Sequence, residues 1–568
     1  MSESTPLDLP GLTLPLNFHP KRCPGEFVYA NALDGKDILR GYVGYTFTLR
    51  EIVMMQIMES LTNKPKWTEK VFNEEIVANW RDELVNDDDV TDLIMDYMIA
   101  ELRWKAAEYN KTGIVTSYDP GVVKSDTAIP PDLQRRLGEL VKKLEDEGPK
   151  DYHPDSDDKV VDLVHPSLFP LVYGRTRVLR DRVIGREDCL LSVGLGEVAK
   201  VPDLPKLGFR QTHSPYSNRF QWLPCDVKFD NGGGDGGARC RIASYINNLH
   251  PTKHHELYGV IEEILTRVIP LWNATLTRDD DVPRRIRYTQ VEYLPPDEPE
   301  SGLGGNHRGR RDALQLKQPE PSPFTPPVPR HVADLQAHHA EKGLQVIVKL
   351  ANIELTPEKP TYEGGSWHIE GKLNERICAT AIYYFSSENI TSNMLFFRCR
   401  GDDRAFDDLR YKQNEHQFLR VFGFEPYLGR ADSGDITQFL GGVECQQGRL
   451  LSFPNTLQHC VEPFELADRT KPGHRKILAF FLIDPSRRVI STANVPPQRE
   501  DWCTEWGGGE KKKLPVELQT TNMSDVEFKP MGLDEAKGYR EKLMEERGMK
   551  AEGARAKFEM GGFHLCEH

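Results

Sequence analysis

Five short apolar segments in the second half of the chain constrain the fold more than any other feature. They are rich in β-branched and aromatic residues, and turn residues separate them. Short strands that follow one another in this way are typical of a β-sandwich or a β-barrel. The segments are LQVIVKLANIEL (344–355), RICATAIYYF (376–385), NMLFFR (393–398), RLLSFP (449–454) and KILAFFLI (476–483).

The chain before these segments has a different pattern. Apolar residues recur at helical spacing from about residue 48 to 110, and again in Pro131–Gly148 and His254–Leu276. A glycine-rich run, Asn231–Gly237, separates two candidate strands, and residues 286–294 form another. We therefore expect an α+β protein whose β core is accompanied by a large helical N-terminal region and peripheral helices.

Changes in composition along the 568 residues predict five regions. The third is rich in Pro and Gly, which indicates a partly disordered insertion. The regions are a mainly helical one (1–180), a mixed α/β one that packs on the core (181–294), the insertion (295–341), a metal-binding β core (342–490), and a C-terminal extension with a charged helix (491–568).

The composition excludes several classes of protein. Asp and Glu number 87 against 73 Lys and Arg, and the net charge of −14 disfavours general nucleic-acid binding. No apolar segment approaches the ~18–20 residues of a membrane span, and the N-terminus lacks the features of a signal peptide. None of the ten cysteines forms a Cys-x-x-Cys pair, which disfavours a cysteine-rich zinc module. We expect a cytoplasmic or nuclear protein with reduced thiols, neither secreted nor bound to a membrane.

Three residues in the β region form a candidate metal site. His368 and Glu370 are two positions apart, so in an extended segment both side chains point to one face. His459 follows another strand and a Phe-Pro-Asn turn. Two imidazoles and one carboxylate on one face leave three open positions on an octahedral metal, an arrangement that suits Fe(II) with a cosubstrate and O₂.

A fourth residue, Arg475, begins a strand 16 residues after His459. Its guanidinium is always charged and matches a carboxylate in two hydrogen bonds. Inside a β core it needs an anionic partner, which a dicarboxylate cosubstrate would provide. Taken singly, a His-x-Glu triplet, a histidine or an arginine is usually structural. Their order relative to the predicted strands favours a shared function.

These motifs resemble the Fe(II)/2-oxoglutarate-dependent dioxygenase superfamily, and most closely its prolyl-hydroxylase-like branch. The likeness covers about 140 of the 568 residues. The whole chain is also similar to a large, mainly fungal group of proteins, and that likeness implies no activity. The matching elements are Gly364–Gly365, His368 with Glu370, Tyr383–Tyr384, Gly448–Phe453, His459 and Arg475.

The resemblance implies a double-stranded β-helix, or jelly roll, as the catalytic core. It implies Fe(II) bound by His368, Glu370 and His459, with 2-oxoglutarate and O₂ as cosubstrates. It implies further that Arg475 binds the distal carboxylate of 2-oxoglutarate and that Tyr384 helps to hold it. Alternation along a strand places at most one of Tyr383 and Tyr384 inside the core.

Two features depart from the branch. The carboxylate is Glu370 where Asp is commoner, and 91 residues separate His368 from His459. We expect the extra length in Gly401–Gly442, as a lid or substrate wall. The spacing is similar to that of JmjC hydroxylases, but the lysine that those enzymes use is absent, because residues 373–400 contain none.

The leading hypothesis is an oxygenase that hydroxylates a protein side chain or a bulky metabolite. One alternative is a catalytically silent β scaffold that serves as a binding module. Another is a cupin-like metalloenzyme that does not use 2-oxoglutarate. The sequence does not identify the substrate or the oligomeric state.

Overall fold

The computed structural model describes most of the chain, and the predicted glycine run and much of the Pro/Gly-rich insertion lie outside the described residues. These residues are 7–20, 29–33, 46–84, 89–206, 214–230, 239–277, 285–294, 315–329, 331–401, 403–406, 408–412, 416–425, 436–502 and 529–559.

The described helices lie mainly in the first half of the chain and at its C-terminal end. They are α1 (Leu49–Thr62), α2 (Trp67–Lys70), α3 (Glu74–Leu84), α4 (Asp92–Thr112), α5 (Pro131–Glu145), α6 (His255–Leu276), α7 (Leu335–His339) and α8 (Leu533–Glu559), with 3₁₀ turns at Cys189–Ser192, Asp403–Phe406 and Gln417–Phe422.

The strands occur in both halves and are longest after residue 344. They are β1 (Val115–Tyr118), β2 (Val122–Ser125), β3 (Val160–Val164), β4 (Leu171–Val172), β5 (Arg177–Val178), β6 (Glu197–Val198), β7 (Phe220–Gln221), β8 (Cys225–Asp230), β9 (Arg239–Ile242), β10 (Leu344–Leu355), β11 (Thr361–Tyr362), β12 (Ile377–Glu388), β13 (Met394–Arg400), β14 (Thr437–Glu444), β15 (Leu450–Pro454), β16 (Gln458–Val461), β17 (Phe464–Glu465) and β18 (Gly473–Ile483).

Two antiparallel sheets form the β core. The larger has the order β1-β2-β15-β12-β18-β10-β8-β9, and β3 also pairs with β10. The smaller has the order β14-β13-β16. Within the described ranges the strand pairs do not close a barrel. The class is therefore mixed α and β with antiparallel sheets, as the sequence predicts.

The large sheet separates two apolar cores. On one face, alternate residues of β10 such as Val346 and Val348 pack with the buried side of α6. On the other face, Ile347 of β10 and Phe481 of β18 share a core with Phe397 of the small sheet. Because both faces are covered, the central strands are apolar at nearly every position rather than at every second one.

The segment 286–294, predicted as a strand, is not one. It makes only isolated bridges, Gln290 to Arg410 and Tyr293 to Leu316. Tyr288 instead packs beside Phe422, in a small core with the 3₁₀ turns that precede β14. The strand prediction was wrong because, among the described residues, the segment meets other backbone only at these single bridges and its apolar side chains serve packing instead.

The charged C-terminal helix α8 packs against the apolar core that lies between the two sheets. Ala536 and Leu543 are buried in the same core as the facing sheet residues. Arg540 donates hydrogen bonds of 2.7 and 3.1 Å to Asp151 and lies 3.4 Å from Asp162 of β3. The helix is therefore held by apolar contacts and by ion pairs with residues nearly 400 positions earlier.

A second arginine of α8 contacts the loop before β12. Arg547 donates a 2.7 Å hydrogen bond to the fully buried Glu375, and its guanidinium lies 3.8 Å from the ring centre of Trp222. Glu375 also accepts the backbone N–H groups of Trp222 and Lys372. This loop begins at Glu370, so the helix supports the segment that carries the candidate metal ligand. No described helix combines the length and apolarity needed to cross a membrane.

Candidate metal centre

His368 and His459 lie opposite each other on neighbouring backbone segments. The two residues exchange backbone hydrogen bonds of 3.1 and 3.0 Å, N–H to carbonyl in both directions. β16, which carries His459, pairs with β13 of the small sheet. The reciprocal bonds fix both imidazoles at the same level of the sheet, although 91 residues separate them in sequence.

The three side chains that the sequence singles out converge. Glu370 Oε1 lies 3.7 Å from His368 Nε2 and 3.4 Å from His459 Nε2. The two imidazole centres are 4.2 Å apart, and one potential ligand atom from each residue falls within 4.8 Å of the others. Distances of this order between donor atoms are those around one shared metal ion.

A hydrogen bond gives the imidazole of His368 an orientation that is compatible with metal binding. His368 Nδ1 lies 2.7 Å from the carbonyl oxygen of Ser366, which can only accept a hydrogen bond. A neutral ring therefore carries its proton on Nδ1 and directs the lone pair of Nε2 towards Glu370. A lone pair and a carboxylate that face each other require a cation between them, so the donor set fits a metal ion.

The directions of the pKa shifts of Glu370, His459 and His368 are consistent with a carboxylate and imidazoles that share one cation. Burial disfavours ionisation of Glu370, but contacts with the two imidazoles outweigh it and hold the pKa well below its usual range. Burial and then the neighbouring charge of His368 lower the pKa of His459 to about 4. Burial also opposes protonation of His368, yet Glu370 outweighs that effect and raises its pKa. In the absence of metal, a proton on His368 is the cation that this geometry requires.

Asn455 of the Phe-Pro-Asn turn positions the backbone of the candidate ligand Glu370. Its Oδ1 accepts the backbone N–H of Glu370 at 2.9 Å, and its Nδ2 donates to the carbonyl of Glu370 at 2.9 Å and to that of Ile377 at 3.0 Å. Asn455 is 1% exposed. One side chain thus joins the turn before His459 to the loop that carries Glu370.

Arg475 is buried in the inter-sheet space, and none of the described carboxylates pairs with it. It is 3% exposed, and one guanidinium nitrogen donates to Oδ1 of Asn393. Its guanidinium carbon lies 5.7 Å from the ring centre of Tyr384 and 4.9 Å from that of Phe464. Its Nε has no hydrogen-bond partner among the described residues. A buried, half-satisfied guanidinium is costly, and an anion in this space would satisfy it.

The two adjacent tyrosines point to opposite faces of the large sheet. Tyr384 belongs to the inter-sheet core, and its hydroxyl oxygen accepts a 3.3 Å hydrogen bond from the thiol of Cys445. Tyr383 belongs to the core beneath α6. Only Tyr384 therefore shares the space with Arg475, which agrees with the alternation predicted for this strand.

A second group of ligand-type side chains, His153, Asp162 and His165, also falls within 4.8 Å. Its hydrogen bonds differ from those of the first group. The backbone N–H of Ser167 donates to His165 Nδ1 at 3.2 Å, so a neutral ring carries its proton on Nε2 and has no lone pair there for a metal. Arg540 is 3.4 Å from the carboxylate of Asp162. We assign this group to the attachment of α8 rather than to metal binding.

Sequence reasoning missed two supporting residues, Asn455 and Asn393. The first lay in the recognised turn before His459, and an Asn in such a turn often bonds a neighbouring backbone. The second precedes β13 and is 82 positions from the arginine that it contacts, so no local signal marks it.

Comparisons with known proteins place the chain in a family. No curated protein matches it. A selenomethionine-labelled Fe(II)/(alpha)ketoglutarate-dependent dioxygenase, TqaL, matches with a TM-score of 0.15 and 16% identity over 26% of this chain and 43% of that one. A bsmA homolog from Methylobium petroleophilum PM1 matches with a TM-score of 0.25 and 8% identity over 68% of this chain and 94% of that one. Neither TM-score is high enough to assign a shared fold.

The main model of the DUF4246 family, described as proteins of unknown function, matches residues 92–506, and the model of its N-terminal domain matches residues 9–83, so the chain belongs to the DUF4246 family.

Proposed function

We propose that the chain is an Fe(II)- and 2-oxoglutarate-dependent oxygenase that hydroxylates an as yet unidentified substrate. The observation that carries the proposal is the joint geometry of the site. Two imidazoles and a carboxylate share one potential metal position, and the same inter-sheet space contains a buried guanidinium to which no described residue supplies an anionic partner. A cupin-like metalloenzyme would account for the triad but not for Arg475.

The proposed architecture is a double-stranded β-helix. Its support is the way successive strands are divided between the sheets. β10, β12, β15 and β18 belong to the large sheet in the order β15-β12-β18-β10, whereas β13, β14 and β16 belong to the small one. The segment that carries His368 adds to the small sheet through its bridge to His459. Chains that alternate between two facing sheets in this way form jelly rolls.

Each residue has a defined task in this proposal. Nε2 of His368, Nε2 of His459 and the carboxylate of Glu370 hold the metal, while Ser366 and Asn455 fix the orientation of two of these ligands. Arg475 binds the distal carboxylate of 2-oxoglutarate by a bidentate ion pair, supported by Asn393 and by the face of Tyr384. Iron and 2-oxoglutarate bound there supply the oxidising power for C–H hydroxylation with O₂. The apolar walls of the two sheets exclude bulk water.

The test is metal and cosubstrate binding by the purified chain without oxygen. We expect one Fe(II) per chain and a visible charge-transfer band when 2-oxoglutarate is added. His368→Ala is expected to lose both. His474→Ala is a matched control, because His474 lies on β18 beside Arg475 but bonds Ser386 at 2.7 Å, outside the triad. It should keep both signals.

The outcomes separate the alternatives. Metal that binds to wild type and not to His368→Ala, without any response to 2-oxoglutarate, would identify a cupin-like metalloenzyme. Absence of specific metal binding in wild type would identify a silent scaffold. After a positive result, succinate formation above the uncoupled rate, measured over peptide and metabolite panels, identifies the substrate.

A further inference from the structure

A proline-rich part of the insertion packs on the N-terminal helices. Residues 319–329 have the sequence PEPSPFTPPVP, and we call them the proline segment. Phe324 at its centre lies against α4, with its ring centre 5.4 Å from that of Tyr97 and 6.0 Å from that of Trp104. It joins the apolar core that α1 and α4 share. The middle of the segment is therefore anchored by an aromatic side chain.

The beginning of the proline segment is held by polar contacts. Glu320 forms a 2.7 Å ion pair with Arg50 of α1, and it accepts a 2.7 Å hydrogen bond from the hydroxyl group of Thr91 at the start of α4. Arg50 also donates a 3.4 Å hydrogen bond to the carbonyl oxygen of Pro319. Two separate attachments thus fix the path of the segment over the helices.

Burial along the segment repeats every three residues. Pro321 is buried, Phe324 and Pro327 are half-buried, and the six residues between and after them are exposed. A polyproline II helix has three residues per turn, so positions three apart share one face. The composition favours that conformation, because five of the residues 321–329 are prolines and three of the others each precede a proline. We therefore describe the segment as a polyproline II helix that is docked by one of its three faces.

The other two faces point outward. They form a repeated pair, in which an exposed residue is followed by an exposed proline, and the pair recurs every three positions. Val328 is 80% exposed. Residues 321–329 carry no charge, although 28% of the whole chain is charged. The outward surface is thus uncharged and largely apolar. The pairs are Ser322-Pro323, Thr325-Pro326 and Val328-Pro329.

This arrangement matches the way in which SH3-type domains bind their ligands. Such domains hold a polyproline II helix in a groove lined by aromatic side chains. Two neighbouring pockets of the groove each take one X-Pro pair, and the two pairs are three residues apart. The ligand uses two of its faces, and the third is turned away from the domain. In this chain the third face is the one that packs on α4, so docking to the helices leaves the recognised faces accessible.

We propose that the proline segment is a docking site for a protein domain of the SH3 type, which binds the pairs Ser322-Pro323 and Thr325-Pro326 in an uncharged, aromatic-lined groove. Attachment to α1 and α4 fixes the ligand conformation in advance, which lowers the entropy cost of binding. The inference is independent of the metal site and of the oxygenase proposal. It concerns the partner that this chain is brought to and not the reaction.

The experiment uses the full chain and a panel of purified SH3 domains, with binding measured by calorimetry. We expect at least one domain to bind, and a synthetic PxxP peptide to compete with the chain for its groove. Two adjacent prolines provide the matched pair of variants. Pro326→Ala removes an outward contact and should weaken binding about tenfold. Pro327→Ala changes the face turned to α4 and should alter binding less than about threefold. Pro357→Ala, at an exposed proline after β10, should have no effect.

A second comparison tests the role of the attachment to α4. Phe324→Ala removes the anchor, so we expect it to weaken binding by the full chain, and an isolated peptide of residues 319–329 should bind less tightly than the full chain. Far-UV circular dichroism and thermal unfolding establish that each variant is folded, and the peptide comparison stands if Phe324→Ala is not. The proposal is overturned if no domain of the panel binds, or if Pro326→Ala and Pro327→Ala lose equal affinity. Tighter binding by the peptide or by Phe324→Ala also overturns it, because the docked segment would then conceal the ligand.

Discussion

Replacing Arg475 by Met is expected to have opposite consequences for the empty protein and for its cosubstrate complex. In the empty protein the guanidinium makes, within the described part of the chain, one hydrogen bond, to Asn393, and two ring contacts at 5.7 and 4.9 Å. These contribute roughly 1.5–3 kcal/mol for the charged hydrogen bond and about 0.5–2 kcal/mol for each ring. Desolvation of the buried charge costs several kcal/mol and nearly offsets them.

The free energy of unfolding without ligand should therefore change by no more than about 1 kcal/mol in Arg475→Met. Binding of 2-oxoglutarate should weaken by about 100-fold or more, because two charged hydrogen bonds of ~1.5 kcal/mol each are lost and each 1.4 kcal/mol is tenfold in Kd. Urea denaturation measures the first quantity, and anaerobic titration of the charge-transfer band measures the second.

The reasoning is refuted by the reverse pattern. If Arg475→Met lost more than ~3 kcal/mol of stability while the 2-oxoglutarate affinity stayed within twofold, Arg475 would be a structural residue. Arg475→Lys separates charge from geometry. It keeps the charge but lacks the bidentate fork, so we expect intermediate cosubstrate affinity.

Three further predictions concern the surroundings of the site. Asn393→Asp places a carboxylate against Arg475, so we expect a higher melting temperature without ligand and at least tenfold weaker 2-oxoglutarate binding; unchanged affinity would argue against an anion site there. Arg547→Met leaves Glu375 buried without its ion-pair partner, and urea denaturation should show a loss of roughly 3 kcal/mol, whereas a loss under about 1 kcal/mol would mean that α8 is not held by this pair. Burial lowers the pKa of His165 well below its ordinary 6.5, so the folded state binds fewer protons and stability should fall as the pH drops below 6.5. His165→Asn should reduce that slope, and an unchanged slope would assign it to other groups.

The β core and the candidate ligands could be predicted because their signals are local. The apolar, β-branched segments mark strands wherever they lie. Two-residue alternation places His368 and Glu370 on one face and separates Tyr383 from Tyr384. The pairing of His368 with His459 could be expected only from the resemblance, since no pattern in one chain specifies which distant segments meet.

The packing of α8 depends on tertiary contacts, which is why the sequence predicts a charged helix there but not the surface that it covers. Helix α8 has the composition of a surface helix, and its few buried residues become evident only when the partner surface is known.

The position of α8 has a practical consequence for dividing this chain into parts. The region shared across the family ends at residue 506, but Leu543 lies in the core that the sheets enclose. A fragment trimmed to the shared region would open that core to solvent and leave Asp151 and Glu375 without their arginines. The packed unit of this chain is thus larger than the stretch that the main family model matches, and an expression fragment should extend through Arg547.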